Sequence, residues 1–180
     1  MIQRIQTLWL LLAIASMALC FIFPTAVYHL NDATLGQTTE ARLDLIAKSN
    51  PEMLNEIANL EPEITFSQKD SGFKTWPLIL LSGLTMAIAL TSIFLFHNRM
   101  RQVKVVMGAF LINLAYAFVV FFWAVDKYAE VVRNYMHLSD MSVSWTIGAY
   151  APIASLLFIF LAQRAIRKDE AKVRAADRLR

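Results

Sequence analysis

The chain has 180 residues, of which 57% are hydrophobic and only 17% charged, well under the roughly 25% charged share of soluble domains. Its net charge of +3 is concentrated near the C-terminal end. No basic and aromatic interleaving accompanies that charge, so nucleic acid is excluded as an expected partner. The single cysteine, Cys20, cannot build an intramolecular disulfide framework and reads as a small buried side chain.

The apolar residues come in blocks. Ile5–Tyr28, Thr75–Asn98, Val105–Val125 and Met141–Gln163 contain no Asp, Glu, Lys or Arg, and each exceeds the roughly 18–20 residues that a helix needs to cross a bilayer. They predict an all-α membrane protein, a four-transmembrane-helix bundle forming a single integral membrane domain over 1–180. Its spans are approximately 5–28, 75–98, 105–125 and 143–163, its outer loop 29–74 and its basic tail 164–180.

The first stretch is longer than the core of a signal peptide, has only Arg4 ahead of it and is not followed by an A-x-A cleavage site, so it is expected to stay as a span. Leu19 stands where a lipoprotein box would need a small residue before Cys20. Pro24 marks the outer end of this span. In the loop that follows, Thr39 with Glu40–Lys48 reads as a capped helix carrying Leu43, Ile46 and Ala47 on one face. Asn50-Pro51 opens a second helix with Met53, Leu54, Ile57 and Ala58 as its apolar face. Ile64–Phe66 and Phe73–Thr75 read as short strands around a polar turn. The loop as a whole is expected to be small, mostly helical and seated on the end of the bundle.

Trp76-Pro77 opens the second span, with an interfacial aromatic and a proline in the first helical turn. Gly83, Ala87 and Thr91 then recur every four residues, a stripe of small side chains where a helix can approach closely. Packing within the bundle is the expected use of that stripe, and of a looser one, Gly148, Ala151 and Ser155, on the fourth span. The 98–104 turn between the second and third spans is only seven residues long, so these spans form a tight antiparallel hairpin. Asn113, near the middle of the third span, is expected to pin one helix to another by a hydrogen bond. Pro152 either joins the first turn of the fourth span or bends it. The tail beyond Gln163 has high helix propensity and is expected to continue the fourth helix.

Arg4, the 98–104 turn and the tail together carry eleven basic and three acidic residues, against six and eleven in the two remaining segments. The positive-inside rule then puts both termini in the cytoplasm. No nucleotide loop, H-E-x-x-H or nucleophile elbow is present. The three histidines are split by this topology, His29 and His137 on one side and His97 on the other. No catalytic, metal or cofactor set is expected, and no enzyme activity.

The opening Met1-Ile-Gln-Arg-Ile-Gln-Thr-Leu-Trp-Leu-Leu-Leu-Ala, the inner turn Asn98-Arg99 with Gln102, and Asn113 resemble a bacterial membrane-protein family catalogued as domain of unknown function 4293. The resemblance implies a four-span plan and a Gram-negative inner-membrane location, and it brings no activity or cofactor. The matched positions Gln3, Arg4, Gln6, Asn98, Arg99, Gln102 and Asn113 join Gly83 and Ala87 as candidates for helix packing or partner contact. A non-catalytic accessory or scaffold subunit of a larger inner-membrane assembly is the expected function, with a protein partner or homo-oligomer and membrane lipids around it. The alternative is a module that binds or transports a lipid or small molecule.

Overall fold

The computed structural model describes residues 3–31, 38–45, 75–95, 98–136 and 141–178. Its helices are α1 (Gln3–Ile22), α2 (Trp76–Phe94), α3 (Arg99–Val119), α4 (Val125–Met136) and α5 (Ile147–Arg178), and its strands are β1 (Ala26–Asn31), β2 (Thr38–Leu43) and β3 (Met141–Trp145). A π-helical turn, Val120–Ala124, joins α3 to α4 in one continuous rod. Among the described residues, four helical segments are long and apolar enough to cross a membrane: Ile5–Ile22, Trp76–Phe94, Met100–Val131 and Ile147–Val173. The chain is a multi-pass membrane protein built as a four-helix bundle.

Helix lengths follow from the bilayer. At 1.5 Å per residue, α1 and α2 are each about 30 Å long, the thickness of the hydrocarbon core. The 32-residue α5 is about 48 Å long, so it exceeds the thickness of the hydrocarbon core. Around the bundle, α2 packs on α3, α3 on α5, α5 on α1 and α1 on α2.

Two apolar layers fill the interior. One, near the end that bears the termini, contains Leu10, Ala13, Val106, Ala109, Ile159, Ala162 and Ile166. The other includes Met17, Cys20, Leu78, Tyr116, Val120 and Ala151 and continues into Tyr28, Leu43, Leu45 and Tyr128 at the opposite end. Large apolar side chains such as Leu8, Leu80, Leu111, Phe118 and Leu157 are exposed on the outside of the bundle, as a lipid solvent allows.

A three-stranded antiparallel sheet, ordered β2-β1-β3, caps the end away from the termini. Residue Ala26 pairs with Leu43 on one side and Trp145 on the other, and Tyr28 with Ala41 and Val143. Because β1 follows α1 and β3 precedes α5, the α1–α5 helix pair runs directly into the β1–β3 strand pair.

This sheet corrects three expectations. The Thr39–Lys48 helix is instead strand β2 through Leu43. Its local Glu-Ala-Arg-Leu helix propensity is overridden by pairing with the otherwise open edge of β1, and Leu43 and Leu45, two residues apart, are both buried, the period of a strand. The first span is also shorter than its charge-free stretch, and the fourth begins later than its own. α1 stops at Ile22, two residues before Pro24, and α5 starts at Ile147, so the flanking apolar residues become β1 and β3. Absence of charge marks the stretch that avoids water but not the helix within it. Conversely the third helical rod extends past the 105–125 stretch on both sides, to Arg99 and Met136. The loop helix expected from Asn50 and the strands at Ile64–Phe66 and Phe73–Thr75 lie outside the described residues, apart from Thr75, which immediately precedes α2.

Candidate functional site: a proline-centred polar seam and an open helix face

Pro152 lies inside α5. Proline has no N–H, so the carbonyl of Gly148, four residues earlier, loses its helical donor. Side chains from two neighbouring helices crowd onto this turn. The Cys20 thiol donates to the Gly148 carbonyl at 3.6 Å and the Ser16 hydroxyl to the Ala151 carbonyl at 2.7 Å. From α3, the Asn113 amide nitrogen donates to the Pro152 carbonyl at 3.3 Å.

The backbones are also close here. A Cβ placed on Gly148 would stand 2.7 Å from the Phe23 carbonyl oxygen and nearer still to that of Pro24, so only glycine fits. Thr146 donates both its N–H and its hydroxyl to the same crossing, to the Thr25 and Pro24 carbonyls. Gly148 and Ala151 are therefore buried against α1 and the residues that follow it, and Ser155 is likewise buried inside the bundle.

Two other amide residues, Gln6 and Gln102, also donate to backbone oxygens across helix seams. Gln6 of α1 reaches the Ala165 carbonyl of α5 at 3.5 Å, and Gln102 of α3 reaches the Ser92 carbonyl of α2 at 3.1 Å. A carbonyl is available at every helical residue, so a long amide can join two helices without a matching polar partner. Gln163 meets the Met107 sulfur at 3.2 Å. Asn98 precedes α3 as its N-cap but makes no side-chain capping bond; its carbonyl accepts from the Gln102 N–H at 2.9 Å. Arg4 and Arg99 are placed by backbone position only, in α1 and at the first residue of α3.

Gly83, Ala87 and Thr91 are not used as expected within the chain. All three face out of the bundle, and a Cβ on Gly83 would meet nothing within 4 Å. The buried face of α2 is a different one, made of Leu78, Ser82, Thr85, Ala89 and Ser92. The stripe is displaced because α2 is small on two faces. The inward one can bury its hydroxyls by turning Ser82 and Thr85 back onto the carbonyls of Ile79 and Leu81.

Two tyrosines that the sequence reading passed over fasten the sheet to the α3–α4 rod. Tyr28 donates to the Val125 carbonyl at 2.9 Å, Tyr128 donates to the Arg42 carbonyl at 3.1 Å, and their rings meet at 5.3 Å between centroids. Burial pushes the Tyr28 phenol well above its ordinary range, so it stays a protonated donor. Thr25 to Tyr28 are all buried, so no period-2 alternation sets this segment apart from the apolar span it follows. Among the described residues, no group of three or more His, Cys, Asp or Glu side chains is placed to hold a metal ion. His97 and His137 lie outside the described residues.

The family model described as Domain of unknown function (DUF4293) matches residues 2–179, essentially the whole chain. Comparison with curated proteins yields no match.

Proposed function

This chain belongs to the DUF4293 family, and we propose that it serves as a non-catalytic accessory or scaffold subunit of a larger membrane assembly. The observation that supports this reading is the outward face of α2. Gly83, Ala87 and Thr91 form a groove of small residues that the chain's own helices leave uncovered, while large apolar residues such as Leu80, Leu84 and Leu90 flank it. Between helices in lipid there is no hydrophobic drive, and close backbone approach over small residues supplies the attraction. A partner helix laid on this face gains that contact without any rearrangement of the bundle. Intramembrane Asp, Glu, Lys and Arg, which mark most ion and proton paths, do not occur in the four charge-free stretches.

The location proposed with it is the bacterial inner membrane, with the terminus-bearing end in the cytoplasm. The excess of Arg and Lys at that end, and of Asp and Glu in the opposite segments, supports this orientation. The test is affinity capture after mild solubilisation, run in parallel on wild type and on a Gly83→Leu/Ala87→Leu variant, with bound proteins read by mass spectrometry. A stoichiometric companion retained by wild type and lost by the folded variant is the expected result. Recovery of both as the same lone monomer in several mild detergents overturns the proposal.

A further inference from the structure

The outward ridge of α5 changes character along its length. Tyr150, Ile153, Leu157 and Phe160 follow one another at helical spacing and are all exposed, the lipid-facing line of a membrane helix. The same spacing carries the ridge into Arg164, Arg167 and Lys168, which are exposed as well. The acidic residues that follow are turned inward: Asp169 is buried and Glu170 partly buried. Among the described residues, no side chain gives the three cations a hydrogen bond or an ion pair.

The positive-inside rule asks only for Lys and Arg in a flanking segment and is indifferent to the helix face that carries them. Here the cations share the face that meets lipid, and the helix sets their depth. Counted from Ile147, the first residue of α5, about 20 residues at 1.5 Å each cross a hydrocarbon core of about 30 Å. The core therefore ends near Ile166. Arg164 and Lys168 straddle that edge and stand about 6 Å apart along the axis, and the headgroup layer on each side of a bilayer is itself about 5–7 Å thick. Toward the bilayer centre, Ile153 is about 16 Å from Arg164, the depth of one leaflet.

We infer that the outward ridge of α5 binds an anionic phospholipid, its phosphate held by Arg164, Arg167 and Lys168 and an acyl chain lying along Phe160, Leu157 and Ile153. Charge complementarity selects the headgroup. Guanidinium groups pair bidentately with phosphate oxygens, and the lysine ammonium adds a point charge. A glycerol headgroup leaves the phosphate charge uncompensated, whereas a choline headgroup brings its own cation into the layer that Arg167 and Lys168 occupy. The apolar half of the ridge selects a lipid over a soluble anion, which has nothing to lay on it.

The test is native mass spectrometry of the full chain, delipidated in mild detergent and titrated with phosphatidylglycerol or with phosphatidylcholine of the same acyl chains. The first phosphatidylglycerol is expected to bind about tenfold more tightly than phosphatidylcholine. Arg164→Gln/Arg167→Gln/Lys168→Gln should weaken phosphatidylglycerol by at least about tenfold and leave phosphatidylcholine nearly unchanged. Arg101→Gln/Lys104→Gln removes two exposed cations from α3 at the same end of the bundle and should stay within about twofold of wild type. If the triple variant does not fold, Arg164→Gln alone decides, with an expected loss of about fivefold. Glycerol phosphate, which has the anion without the chains, should not displace the bound lipid. Equal affinity for the two lipids overturns the inference, as does undiminished phosphatidylglycerol binding in the folded variants, an equal loss in the α3 variant, or displacement by glycerol phosphate.

Discussion

The two stripes of small residues, on α5 and on α2, look alike in sequence and have different surroundings. Gly148, Ala151 and Ser155 are buried in the bundle, and the contact with α1 is polar as well as close: Pro152 frees a carbonyl, and Cys20 and Ser16 supply donors to that turn. Gly83, Ala87 and Thr91 have no such facing donors. Thr91 turns its hydroxyl onto its own Ile88 carbonyl at 2.9 Å, and the space over Gly83 is open. A stripe of small residues permits close approach but does not select a partner. On α5 the selection comes from the proline break and the donors that match it.

The strongest way to break this contrast is at the glycines. Gly148→Leu drives a side chain into the Phe23 and Pro24 backbone and should cost about 3 kcal/mol, seen as a large fall in the thermal or SDS-unfolding midpoint. A smaller loss, about 1 kcal/mol, is expected for Ser16→Ala, which removes one interhelical bond in the membrane. Tyr128→Phe should also cost about 1 kcal/mol, and its loss of the Arg42 carbonyl should appear as faster hydrogen exchange in β2. Smallest of all, Gly83→Leu should change unfolding by no more than about 0.5 kcal/mol, since it touches nothing in the chain. An equal and large loss at Gly83 and Gly148 would erase the distinction between the two faces.

Much of this architecture could be read from the chain. Four charge-free stretches located four membrane-crossing helices, and the short 98–104 turn made α2 and α3 neighbours. Trp76-Pro77 marked the first turn of α2. What could not be read depended on pairing between segments and on where each helix ends. β2 pairs with β1 and overrides its own helical composition. The continuation of α3 through a π turn into α4 carries Asp126, Lys127 and Glu130 on the rod, where a charge-based boundary at Val125 ended the span. The polar seam was only partly legible. Asn113 stood out as an amide in an apolar run, whereas Ser16 and Cys20 are ordinary residues of membrane helices until the proline turn collects them. Small-residue spacing located both stripes on α2 and α5 but not which of them the chain covers, because that depends on the rotation of each helix in the bundle.

The most direct test of whether the α2 face is covered in the assembled membrane is cysteine chemistry in intact membranes, using Ala87→Cys in a Cys20→Ser background. Leu114→Cys, on an outward position of α3, is the lipid-facing reference. Ala87→Cys is expected to form a specific cross-linked product of higher mass and to resist a membrane-permeant maleimide, while Leu114→Cys is labelled freely. Labelling of both positions at the same rate, with no cross-linked product, would contradict it.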